Sequence, residues 1–91
     1  MIERFDKREE EYLRWVLSHP TGYVANVDRL GVRPEYPMVH RASHQLISTG
    51  AQGNYTTGDY VKACSTELSE LEHWSEAAYG RKLTRCGVCM K

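Results

Sequence analysis

With 91 residues, 12 basic against 12 acidic side chains and a formal net charge of zero, the chain as a whole carries neither the basic signature of a nucleic-acid binder nor the acidic one of a solvating tail. An apolar fraction of 41% beside a charged fraction of 26% excludes a disordered chain and describes one folded domain over residues 1–91. A domain of this size buries only roughly 60–65% of the surface its unfolded state exposes, so a metal or other staple would add stability that a small core lacks.

Residues 3–18 predict a helix, with Phe5, Tyr12, Leu13, Val16 and Leu17 on one side and Arg4, Lys7, Arg8, Glu10, Glu11 and Arg14 around the rest. Opposite charges recur four apart at Glu3 and Lys7, Lys7 and Glu11, and Glu10 and Arg14, which suits a solvated face. Pro20 ends it after His19. This charged N-terminal stretch has no apolar leader segment, and no run approaches the ~18 apolar residues of a membrane span, so a cytoplasmic protein without membrane contact is expected.

TGYVANVD then alternates Tyr23, Ala25 and Val27 with Val24, Asn26 and Asp28, the pattern of a half-buried strand. PMVHRA predicts a second strand after the RLGVRPEY loop, and STGAQGNYTTG, residues 48–58, reads as an exposed loop. DYVKAC, residues 59–64, is a third strand. Ser65 or Thr66 is positioned to cap a helix reaching about Tyr79, with Leu68, Leu71, Trp74, Ser75 and Ala78 along one face and Gly80 as its stop. The expected class is α+β: an N-terminal helix, a short antiparallel sheet of about three strands, a second helix and a C-terminal Cys-x-x-Cys knuckle, stabilised by zinc.

Zinc is expected because His40 and His44, then Cys64, then Cys86 and Cys89 supply ligand types at element ends. Structural zinc takes four His or Cys ligands in a tetrahedron, usually including a close pair from a turn. Cys86-Gly87-Val88-Cys89 is such a pair. Three cysteines without a signal peptide argue against a disulfide framework. A thioredoxin-like redox role is not expected either, since that motif opens a helix after a strand, whereas this pair trails one. His19 and His73 read as ordinary surface or hydrogen-bonding residues.

HRASH followed by CGVC resembles the Cys-Arg-Pro-Ser-Cys and Cys-x-x-Cys halves of the zinc domain of Ada-type DNA repair proteins. It resembles more closely small bacterial domains of unknown function with His-Arg-Ala-Ser-Cys before a terminal Cys-Gly-x-Cys, with a looser likeness through YVKAC. The Ada-like resemblance implies His40, His44, Cys86 and Cys89 as ligands. The closer one implies His44, Cys64, Cys86 and Cys89, which is the preferred set, because the extra cysteine of those domains falls at Cys64. The Ada-like domain accepts a methyl group on a zinc-bound cysteine of its first pair. Histidine stands at both of those positions here, which argues against that chemistry.

A closed four-ligand site is structural, and no carboxylate lies at ligand spacing to act as a general base, so no enzyme activity is expected. Arg41 and Lys62 beside the proposed ligands, with Arg81, Lys82 and Arg85 in an acid-free C-terminal stretch, suggest a basic face that binds DNA or RNA through phosphate. Tyr55 and Tyr60 are candidates to stack on bases. The alternative is a zinc-stabilised protein-protein interaction module, a regulatory or accessory protein of a bacterium or phage.

Overall fold

The computed structural model describes residues 2–28, 36–42, 56 and 60–86. They form β1 (Glu3–Phe5), α1 (Glu9–Ser18), β2 (Tyr23–Asp28), β3 (Met38–Arg41), β4 (Tyr60–Ser65), α2 (Leu68–Tyr79) and β5 (Thr84–Arg85). The sheet order is β1-β4-β2-β3-β5, antiparallel except where β5 joins β3 in parallel. The α+β class and the three expected strands stand. The sheet is mixed and five-stranded because two short strands extend its edges. The expected loop over residues 48–58 lies, apart from Thr56, outside the described residues.

The helix expected from residue 3 starts at Glu9 instead. Phe5 pairs with Lys62 across β1 and β4 and is buried under α1, its ring centroid 5.9 Å from that of Tyr12. Burying this aromatic ring against the sheet outweighs the helical preference of three residues. Lys7 then adopts a left-handed φ of 57°, which breaks any helix running through it. Glu9, Glu10 and Glu11 in the first turn favour the positive end of the helix dipole. The cap comes from far away in sequence: the Thr56 hydroxyl accepts the Arg8 amide at 3.0 Å, and the Thr56 carbonyl accepts the Lys7 amide at 2.8 Å.

Alternation along the strands splits the core into two layers. Val24 and Cys64 point to one face, where Phe5, Tyr12, Trp15, Val16 and Ala42 complete a cluster around α1. Ala25, Val39 and Ala63 point to the other, where Leu71 of α2 and Cys86 close a second cluster with Leu68, Trp74 and Leu83 at its margin. The expectation that one face of β2 meets solvent is therefore corrected. A helix covers each face, so Val24 and Ala25 are both fully buried.

Gly80 stops α2 as expected, in the left-handed conformation at φ 65° with its amide on the Glu76 carbonyl at 3.0 Å. The helix begins at Leu68, and the Ser65 hydroxyl accepts the Glu67 amide and bonds the Glu70 carboxylate. Of the expected apolar face, Leu71 and Ser75 are buried, while Ala78 is exposed. No helix among the described residues is long and apolar enough to cross a membrane.

Candidate functional site

After β4 the chain crosses over the sheet through α2 and comes down at the far edge, beside β3. There Met38 is opposite Thr84 and Val39 is opposite Arg85. The Thr84 amide donates to the Pro37 carbonyl at 2.9 Å, and the Cys86 amide donates to the Val39 carbonyl at 2.9 Å. The strands are parallel, so Cys86, the residue after β5, comes level with His40 of β3. His40 and Cys86 are both buried, but on different sides of the sheet: His40 pairs with Val24 of the α1 cluster, and Cys86 belongs to the α2 cluster. His44 and Cys89 lie outside the described residues.

Cys64 is differently situated. It pairs with Glu3 on one side and Val24 on the other, and Val24 in turn pairs with His40. Val24 thus separates Cys64 from His40 by two strand spacings, roughly 10 Å. The Cys64 side chain is packed with Phe5, Tyr12, Trp15 and Val16, whereas Cys86 belongs to the cluster that faces α2. Burial pushes the Cys64 thiol well above its ordinary ionisation range, although the nearby Lys62 cation opposes this. The two described cysteines of the preferred set are therefore not brought together. Among the described residues no group of three or more His, Cys, Asp or Glu is arranged to hold a metal.

The five expected phosphate contacts are scattered. Arg41 is exposed, opposite Tyr23, with its guanidinium 5.9 Å from the ring centroid. Arg85 is exposed but lies 3.8 Å from a Glu72 carboxylate oxygen. Lys82 lines a cleft with Ser69, Glu72, His73, Glu76 and Leu83. Arg81 donates to the Tyr36 carbonyl at 3.1 Å. Lys62 lies inside, 4% exposed, on the face covered by α1.

Around Lys62 is a polar cluster that the strand patterns did not announce. Asn26 pairs with Lys62 and Asp28 with Tyr60, all four on the Val24 side of the sheet. The Lys62 ammonium donates to Asn26 Oδ1 and lies 5.5 Å from the Tyr60 ring centroid. Burial pushes its pKa down from 10.5 to about 8, while Cys64 and Glu9 act in the opposite direction. Glu9 in turn accepts the Thr56 amide at 2.7 Å and its hydroxyl at 3.1 Å. The available signal was one of phase: Asn26 and Asp28 follow Val24 at strand spacing, and Lys62 precedes Cys64 at the same spacing. No family model, curated protein or solved structure matches the chain.

Proposed function

We propose that this chain is a small, non-enzymatic binding domain whose sheet edge is fixed by a structural zinc ion, held by His40, His44, Cys86 and Cys89. The observation that carries this reading is the parallel pairing of β5 with β3, with the Cys86 amide on the Val39 carbonyl. It starts the two ligand-bearing segments side by side, as a tetrahedral site built from two close pairs requires. His40 replaces Cys64 in the set because its strand, β3, adjoins β5, whereas Cys64 is two strands further in, beyond Val24. The resemblance of HRASH and CGVC to Ada-like zinc domains points to the same four positions. When bound, the metal would act as a crosslink, and the four protein ligands leave no coordination position for substrate.

Zinc analysis of the purified protein tests the site. One zinc per chain is expected, retained in Cys64→Ser and lost in His40→Ala and Cys86→Ser. Retention in His40→Ala with loss in Cys64→Ser would restore Cys64 to the set.

A protein partner is favoured over nucleic acid. Lys62 is buried, Arg85 faces Glu72, and Lys82 shares its cleft with Glu72 and Glu76, so these cations do not make a one-signed surface for phosphate. Binding to DNA or RNA at low salt, weakening as salt rises and weakened further by Arg41→Ala, would reverse this preference.

A further inference from the structure

We infer that the flank of α2 bearing Trp74, Ala77 and Ala78 is the docking surface for a basic amphipathic segment of a protein partner. That segment places a large apolar side chain beside Trp74 and Ile2 and its lysines or arginines near Glu67 and Glu70. This rests on the protein-binding reading above, for which it names the face and the partner's chemistry, and it requires no metal.

The two faces of the sheet are covered unequally. Leu13 packs half-buried against the α1 cluster, whereas Ile2, Tyr23, Met38, Leu68, Trp74 and Leu83 surround the α2 cluster in that state. On α2 itself Leu71 and Ser75 are buried, but Trp74 is half-buried and Ala77 and Ala78 are exposed. Residues three and four apart share one side of a helix, so these three form one stripe. The Trp74 ring is steadied by Tyr79, edge to face with centroids 5.4 Å apart. Next to it a shallow cleft of about 650 Å³ is lined by Ile2, Ser69, Glu70, His73 and Trp74. A tryptophan held by its neighbours at the wall of such a cleft is the kind of residue on which binding energy concentrates.

Charge decides what covers the stripe. Continued at the same spacing towards the start of α2, it reaches Glu70 and then Glu67, and from Thr66 to Gly80 there are four glutamates and no lysine or arginine. The neighbouring cations face carboxylates elsewhere: Arg4 lies 3.7 Å from Asp6, and Arg85 lies 3.8 Å from Glu72. A phosphate backbone is repelled by such a face. A second copy of this chain is a poor occupant, because its other helix, α1, opens on Glu9, Glu10 and Glu11 and carries Arg14 as its one basic residue. An amphipathic helix with lysines or arginines beside its apolar side complements both halves of the stripe.

The test is a titration of the full chain, followed by amide NMR, with three synthetic helical peptides: one with leucines and a tryptophan on one side and lysines on the other, one with glutamate for every lysine, and one with serine for every apolar residue. The lysine peptide should shift Ile2, Glu70, Trp74, Ala77 and Ala78 and bind at least about tenfold more tightly than either counterpart. Trp74→Ala should weaken it at least about tenfold. Because Trp74 also packs against the α2 cluster, Ala77→Arg, a change at an exposed position, should weaken binding by a similar factor with an unchanged melting temperature. Equal binding of the glutamate peptide, no binding of the lysine peptide at low salt, or full affinity in Ala77→Arg overturns the surface. So does self-association of the chain that Ala77→Arg abolishes, which would make a second copy the occupant. Shifts confined to another face overturn the surface and leave the protein-binding reading standing; binding of DNA or RNA with none of the peptides overturns both.

Discussion

Replacing Lys62 by methionine separates the cost of burying an ammonium from the benefit of the hydrogen bond it makes. Burial lowers the pKa of Lys62 from 10.5 to about 8, so at neutral pH the buried cation disfavours folding by about 3 kcal/mol, at ~1.4 kcal/mol per unit. Because the folded value lies below the unfolded one, the unfolded chain binds the proton more tightly. The penalty is complete below about pH 8 and is relieved as pH rises towards 10.5. Cys64 acts with the opposite sign. Its unfolded thiol ionises near 9.0 while the buried one stays protonated, so above that pH its loss offsets the Lys62 gain, and stability falls only once the Lys62 gain ends near pH 10.5.

The informative window is therefore pH 7 to 9, where the wild-type unfolding free energy should rise by about 1 kcal/mol. In Lys62→Met that rise should disappear. At pH 7 the variant escapes the desolvation cost but strands Asn26 Oδ1, which costs roughly 1–3 kcal/mol, so it should be near neutral to mildly stabilised. Replacing Asn26 by valine as well should add stability by removing the stranded acceptor. Urea unfolding of the wild type and both variants at several pH values measures all of this. Equal pH slopes for wild type and Lys62→Met would refute the assignment of a depressed pKa to this buried amine.

Thr56→Val removes the acceptor of the Arg8 amide and a donor to Glu9; a loss of about 1–2 kcal/mol is expected, as for other helix caps, measured by thermal melting. Gly22→Ala would bring its new Cβ to 2.7 Å from Trp15 Cη2, and overpacking of this kind should cost about 1–3 kcal/mol and alter the Trp15 fluorescence. Cys64→Ala opens a small cavity beneath α1 and should destabilise by about 1 kcal/mol without lowering zinc content, which elemental analysis of the same preparation checks.

Much of the architecture was legible because its central elements carry strong local signals. YVANVD, MVHR and YVKACS are β-rich and bounded by turn residues, and Gly80 marks the helix stop. What could not be read came from distant partners. The strand at Glu3–Phe5 exists because β4 pairs with it, and the start of α1 is set by Thr56, 48 residues from Arg8. Polar residues at Asn26, Asp28 and Lys62 look like a solvated strand face when each strand is read alone. Only the pairing of β2 with β4 beneath α1 makes them an interior cluster. β5 was hidden for a related reason, since two residues have no periodicity and pair only because α2 delivers them to the far edge.

Cys64 and Cys86 separate the two kinds of information most clearly. In the sequence Cys64 ends YVKAC and Cys86 opens CGVC, and a count of four ligands includes both. In the fold Cys64 lies between Glu3 and Val24 near the middle of the sheet, sealed by Phe5, Tyr12 and Trp15. A zinc ligand must give up its proton, and a thiol held protonated by burial resists doing so. Cys86 instead follows the edge strand β5, its amide on the Val39 carbonyl. The arrangement therefore assigns Cys64 to packing, and Cys86 stays a ligand of the proposed zinc site. Alkylation separates these roles: with zinc chelated and the domain still folded, Cys86 should react with iodoacetamide well before Cys64, and the reverse order would return Cys64 to candidacy as a ligand.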